Sequence, residues 1–239
     1  MSMYAISDLH GKYDIWEKIK KRISPDDTLF SLGDNIDRGS DGYKICLELM
    51  QMKNVYCICG NHEMMAIDAI PDLLKGKFGS RPVHRWFING GAATWNQIEY
   101  MCNGMRQSVI NYKCAELINF FQKMKDEYKI IDKGCTILLS HAGFTVDRQE
   151  EADIGWDRQH FYDDWPQDEK YQNTYIIHGH TPVQYLNRWL NNTATIDFDM
   201  TPTVITYAQG HKIDIDLGTV ASNRAALFNL NTFEVEYIE

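Results

Sequence analysis

Nowhere in the 239-residue chain does an apolar run approach the roughly 20 residues that a membrane helix needs. The first residues, MSMYAISDLHG, have neither a basic start nor an apolar signal core. A cytoplasmic location with no membrane partner is the expectation. Positive charge is scarce too: 24 lysines and arginines stand against 33 aspartates and glutamates, a formal charge of −9. Phosphate-backbone binding needs clustered cations, so no nucleic-acid partner is expected, and any anionic substrate has to be captured by a local positive site. C-x-x-C pairs are also missing. Cys46, Cys57, Cys59, Cys102, Cys114 and Cys135 lie mostly within apolar runs, where a free thiol behaves as a small hydrophobe, and they read as reduced and structural.

What is there is a globular composition, 44% apolar and 12% aromatic, enough for a sizeable core in one domain spanning 1–239. The first quarter alternates β-rich and helical patterns: strands near 3–7, 28–32 and 54–59, helices near 13–22 and 42–52. This βαβαβ rhythm predicts neighbouring parallel strands with helices on their faces. From about 64 to 130 the pattern is mainly helical, with a Gly- and Pro-marked break at KGKFGSRP (75–82) and an aromatic stretch HRWFINGG (84–91), and it reads as a cap insertion. CTILL (135–139) and TYIIH (174–178) resume the strand signal. TATIDFDM, TVITYAQ, KIDIDLG, RAALFNL and FEVEYIE then read as consecutive strands in meander or hairpin order, which predicts a second sheet. The fold expected is α/β (α+β under some schemes), a sandwich of two mixed sheets flanked by helices.

Five β-like runs end in a polar cluster that holds a good metal ligand. MYAIS precedes Asp8 and His10, LFSLG precedes Asp34, VYCICG precedes Asn61-His62-Glu63, TILLS precedes His141 and YIIHG precedes His180. Sites form at the carboxyl ends of strands in a largely parallel sheet, so clusters distant in sequence can converge there. Imidazole nitrogen with carboxylate or amide oxygen, and no thiolate, suits manganese, iron, zinc or nickel rather than a structural zinc knot. Taken singly, each cluster has a plainer reading: Asn61-His62-Glu63 as a helix N-terminus, His141 and His180 as hydrogen-bonded core histidines. The recurrence of ligand type, strand end and adjacent glycine points instead to two divalent cations, manganese first.

SDLHG (7–11), GDNIDRG (33–39), GNHE (60–63), SHAG (140–143) and HGHTP (178–182), in this order, resemble the phosphoprotein phosphatase branch of the calcineurin-like metallophosphoesterases, closest to its phage and bacterial serine/threonine phosphatases. The resemblance runs from residue 3 to about 200. It implies a metallophosphoesterase-type β-sandwich and two metals, one held by Asp8, His10 and Asp34, the other by Asp34, Asn61, His141 and His180. It implies further that Arg38 and Arg158 (in GWDRQ, 155–159) clamp the substrate phosphate with help from Asn61, and that Asp37 pairs with His62, the general acid. The reaction implied is hydrolysis of a phosphomonoester, in phosphoserine or phosphothreonine of a protein or in a small phosphoester, by direct attack of a metal-bridging hydroxide. Ser7 stands where the family usually has glycine, and Pro182 where the wider superfamily often has another histidine. Cys57 and Cys59 are packing residues, and His178 lies outside the ligand set. Trp86, Phe87 and Trp95 could wall a groove or form cap core. Symmetrical dinucleoside-tetraphosphate hydrolases share the ligand pattern, but that resemblance breaks at the Asp-Arg pair and at the glutamate after GNH. A catalytically silent interaction scaffold is the remaining reading, and it predicts lost ligands; none is lost.

Overall fold

The computed structural model describes residues 1–147, 155–191, 196 and 200–239. Strand β1 (Met3–Ile6) leads into α1 (Tyr13–Lys20), β2 (Thr28–Ser31), α2 (Gly42–Leu49) and β3 (Val55–Cys57). β1, β2 and β3 pair in parallel, Met3 opposite Thr28 and Leu29 opposite Val55. Leu29 and Phe30 are neighbours on β2 and so face opposite ways, yet both are buried. Leu29 and Ile6 pack with Ile15, Trp16 and Ile19 of α1, whereas Phe30 and Ala5 pack towards the other sheet. The near-continuous apolar character of these strands thus reflects cover on both faces.

Four helices follow: α3 (Asn61–Leu73), α4 (Arg81–Ile88), α5 (Ala92–Met101) and α6 (Gln107–Lys123). Their core, including Trp86, Trp95, Leu117 and Phe121, also takes in Ile36, Tyr43 and Cys46, so they pack on α2 and the loop before it. The helical stretch stops at Lys123. Residues assigned from sequence to the end of the cap form β4 (Glu127–Asp132), whose alternating burial marks a one-sided edge strand.

β4 opens the second sheet with β5 (Cys135–Ser140), β6 (Thr174–His178), β7 (Ile205–Tyr207) and β8 (Lys212–Asp214), in the order β4-β5-β6-β8-β7. Helix α7 (Val183–Leu190) follows β6, and the short α8 (Thr219–Ser222) follows β8. The final hairpin, β9 (Ala225–Asn229) and β10 (Val235–Ile238), does not continue this sheet. It turns back so that β9 runs antiparallel to β1, giving the first sheet the order β10-β9-β1-β2-β3. The expected C-terminal meander is corrected accordingly: one hairpin serves each sheet. Most of the strand expected at TATIDFDM lies outside the described residues. Ile137, Leu139, Ile177 and Ile213 of the second sheet meet Ala5, Phe30 and Phe228 of the first, and this contact is the sandwich core. Among the described residues no helix is long and apolar enough to cross a membrane. The six cysteines are unpaired.

Lys212 is a buried charge on the face of β8 opposite this core, 1% exposed, with its Nζ donating to the His160 carbonyl at 2.6 Å. Burial pushes its pKa from the ordinary 10.5 down to about 8. The fold therefore disfavours the charged lysine, and that penalty fades as pH rises from about 8 towards 10.5. Across this window the unfolding free energy of the wild type will rise relative to that of Lys212→Met by roughly 2–3 kcal/mol, read from urea denaturation at a series of pH values. Parallel curves would mean that water reaches the ammonium group.

Candidate active site

The clusters after β1, β2, β3, β5 and β6 converge at the carboxyl ends of the two sheets. The loops that carry them are tightly wound. Among the described residues eleven non-glycine residues have left-handed backbone, and six of these are Asp8, His10, Asp34, Asp37, Arg38 and His180. Such conformations are costly for residues with a Cβ and persist where the surroundings enforce them. Gly60 shows the crowding: a Cβ there would overlap Asp34 Oδ1.

Asp34 stands at the centre, buried. Its Oδ2 lies 3.7 Å from His10 Nε2, 3.8 Å from His62 Nε2 and 3.5 Å from His141 Nε2. Its Oδ1 accepts the His62 backbone N–H at 3.0 Å. Asp8 Oδ1 is 3.8 Å from His10 Nε2, while Asp8 Oδ2 accepts from Ser7 Oγ and, at 2.9 Å, from the His180 backbone N–H. Asn61 Oδ1 sits 2.9 Å from His141 Nε2 and 2.8 Å from His180 Nδ1, and those two ring nitrogens are 3.2 Å apart. Two groups follow, His10 with Asp34 and His62, and Asp34 with His141 and His180, each able to hold a metal ion.

The donor set itself tests the fit. His141 Nδ1 is 2.7 Å from the Leu32 carbonyl and His10 Nδ1 2.9 Å from the Ile36 carbonyl. A carbonyl only accepts, so both Nδ1 atoms carry hydrogen and both Nε2 atoms aim lone pairs at carboxylate or amide oxygens. Lone pairs facing lone pairs in a buried cleft need a proton or a cation between them, and nitrogen with oxygen donors suits a divalent transition metal. Protonation shows the same tension. Burial works against a charged His141, but Asp34 and Asp8 outweigh it and lift its pKa to about 10. Burial, with Asp34 beside it, pushes Glu63 up to about 7. His10 and His180 are held well below the ordinary imidazole value, chiefly by burial.

Beside this cluster, His62 Nδ1 and Asp37 Oδ2 are 2.7 Å apart. Asp37 also accepts from Trp86 Nε1 and Thr94 Oγ1, each at 2.7 Å. Burial opposes a charged His62, yet Asp34 and Asp37 hold its pKa above the usual value. Arg38 is exposed, and its terminal nitrogen lies 3.1 Å from His62 Nε2. Arg158 stands on the opposite rim, its Nε donating to Thr181 Oγ1 at 3.1 Å, next to His180. Burial and then the charge of Arg38 depress its pKa, so the two guanidinium groups share one mouth.

Every site residue expected from sequence therefore lies in or at the rim of this cleft. Three neighbours hold this site in ways that the sequence does not assign. Glu63 accepts the backbone N–H groups of Asp34 and Asn35, both at 2.8 Å, and of Gly60 at 3.1 Å, locking two clusters together. Its place three residues into α3, at the spacing of a capping box, was the available signal. Trp86 and Trp95 lie in the core of α3–α6, as one of their two readings had it, and Trp86, fully buried, also serves Asp37. Thr94 gave no signal at all, being 57 residues from Asp37. His178 is core, with Nε2 2.7 Å from the Tyr207 hydroxyl and a pKa pushed by burial to about 3. Cys57 and Cys59 are buried strand-end packing, the former with its thiol pushed up to about 12.

The sequence profile of the calcineurin-like phosphoesterases matches residues 1–213, and the chain belongs to that family. Over 92 residues, 37% of the chain, it is 36% identical to serine/threonine-protein phosphatase 2 of Salmonella typhimurium strain LT2 and 30% identical to that of Escherichia coli strain K12. The aligned stretch is 38% of the length of each of these relatives. Among solved structures, a putative diadenosine tetraphosphatase superposes with a TM-score of 0.60 at 14% identity, over 99% of this chain and 92% of that one. A cold-active protein tyrosine phosphatase gives 0.61 at 17% identity, over 99% and 75%. At such identities the likeness is one of fold.

Asp34 belongs to both donor groups, so its substitution removes more than one ligand's worth of affinity. Manganese added to metal-free wild type will raise the melting temperature, and Asp34→Asn will abolish most of that rise. Equal metal-dependent shifts in the two proteins would remove Asp34 from the centre.

Proposed function

We propose that the protein is a metal-dependent phosphomonoesterase that hydrolyses phosphoserine and phosphothreonine in proteins, with α3–α6 as a cap over the cleft. The observation that carries this reading is the pairing of Asp37 and His62 at 2.7 Å beside Arg38, against a buried cluster of metal-ligand type. Asp8, His10 and Asp34 would hold one cation, and Asp34, Asn61, His141 and His180 a second, with manganese the first choice. Once bound, the cations supply Lewis acidity that lowers the pKa of a water molecule and neutralises phosphate charge.

The remaining chemistry belongs to the chain. Arg38 and Arg158 bring two guanidinium groups to the mouth, where each offers phosphate oxygens a fork of donors that lysine lacks. With no anion between them they repel, which makes the mouth an anion trap. Asp37 fixes the ring of His62 through Nδ1, and Nε2 faces Arg38, which can only donate; with Arg38 turned onto a phosphate, a protonated Nε2 is free to face the leaving oxygen. Trp86 and Thr94 hold Asp37 in turn, as a general acid's partner must be held. A cavity of about 640 Å³ runs outward from Arg38 past Lys44 and Gln97 to Tyr100, room for a polypeptide leaving group.

Loaded with manganese, the protein will hydrolyse p-nitrophenyl phosphate and a phosphoserine peptide faster than diadenosine tetraphosphate. The reverse ranking would move the assignment to nucleotide hydrolysis. His62→Asn will lower kcat about 10²- to 10⁴-fold for a phosphoserine peptide and far less for p-nitrophenyl phosphate, whose leaving group needs no proton. Equal losses on both substrates would dismiss the general-acid role.

A further inference from the structure

A second cavity, of about 340 Å³, lies between α3 and α4 and is walled by Met65, Asp68, Arg81, Pro82 and Arg85. Arg81 and Arg85 are four residues apart and hence neighbours on one face of α4. Both are exposed, and among the described residues neither has a carboxylate within ion-pair distance. The Arg85 guanidinium lies instead 4.9 Å from the centre of the Trp156 ring. Like charges at this spacing weaken a helix slightly, and in a chain of charge −9 their juxtaposition is not explained by composition. Asp68 is the one acid on the cavity wall, so the wall carries a net positive charge.

The cavity adjoins the catalytic cleft from two directions. Met65 is one turn along α3 from His62. On the other side the Trp156 ring stands between Arg85, at 4.9 Å, and the ring of His180, at 6.1 Å. An extended peptide advances about 3.3–3.6 Å per residue, so these two steps put Arg85 within roughly three residues of a phosphate bound at His180. A side chain of opposite charge at that distance would fall between the two arginines.

We propose that Arg81 and Arg85 form a subsite for an aspartate or glutamate side chain two or three residues from the phosphoserine, so that the protein selects acidic phosphopeptides. This rests on the protein-phosphatase reading and names its substrate class. The chain's overall negative charge does not forbid acidic substrates, because long-range repulsion is screened beyond about 8–10 Å and a local pair then decides binding.

The test compares two phosphoserine peptides on the manganese-loaded protein, one with aspartates at the second and third positions on both sides, the other with alanines there. At low salt, kcat/KM for the acidic peptide should be about threefold to tenfold higher, mostly through KM, as two exposed ion pairs allow. High salt should shrink the ratio. The double variant Arg81→Ala, Arg85→Ala should bring it to about one, Asp68→Asn should raise it, and the double variant Arg81→Lys, Arg85→Lys should keep it above one. Equal turnover of the two peptides by the wild type, or a ratio unmoved in the double-alanine variant, overturns the subsite alone. Turnover of p-nitrophenyl phosphate but of neither peptide overturns the subsite together with the reading on which it rests.

Discussion

The structure is organised around one buried anion, the carboxylate of Asp34. Taking such a group out of water costs several kcal/mol, and the deficit has to be met by charge and hydrogen bonds within a few ångströms. Three imidazoles and one backbone N–H stand around it. Without cations, balance comes from protons: Asp34 and Asp8 lift His141 to about 10, and burial, with Asp34 beside it, lifts Glu63 to about 7. Cations would take the place of those protons, so metal uptake and proton release are coupled in such a cluster. The remaining loops follow from keeping this arrangement fixed: Glu63 ties the backbone of Asp34 to that of Gly60, and Asp8 ties β1 to His180.

That fixing has a conformational cost of order 1–2 kcal/mol at each left-handed residue with a Cβ. Six such residues crowd the cleft, and the sandwich beneath offsets them. Leu29, Phe30, Ile137 and Ile177 are buried on strands whose ends carry the site, so every loop starts from a backbone that cannot shift without opening core. Aspartate and histidine tolerate the left-handed region better than most residues, so the residue types that bind metal also suit the turn.

This double suitability explains what could be read in advance. Asp8, His10, Asp34, Asn61, His141 and His180 announce themselves because ligand type, strand end and glycine coincide in each segment. The central parallel strands were legible for a related reason: continuous apolar runs between helices admit few arrangements. The partnership of the last strands was not legible, because the apolar run AALF is buried on both faces, as a strand inside either sheet would be, and the choice is made by contacts more than two hundred residues apart in the chain. β4 was hidden by the long helix before it, since EYKIID carries an edge strand's alternation too short to interrupt a helical reading. Thr94 and Trp86 could not be assigned to Asp37 from sequence, because nothing local marks a hydrogen bond made to a residue some fifty positions away.

Selectivity has to come from outside the sandwich. Solved structures with this fold at 14–17% identity are named for a putative diadenosine tetraphosphatase and for a tyrosine phosphatase, and a fold does not by itself choose a substrate. Discrimination between esters sharing one phosphate group needs contacts beyond the phosphate. Among the described residues such contacts are offered at the rim of the cleft by α4 and α5 and by the segment with Trp156 and Arg158. Trp156 touches both parts, packing against the cap core while its ring edge meets His180. A side chain arriving on α4 beside Arg85 would thus meet a ring that also touches His180, so contacts made there are coupled to the cleft through Trp156.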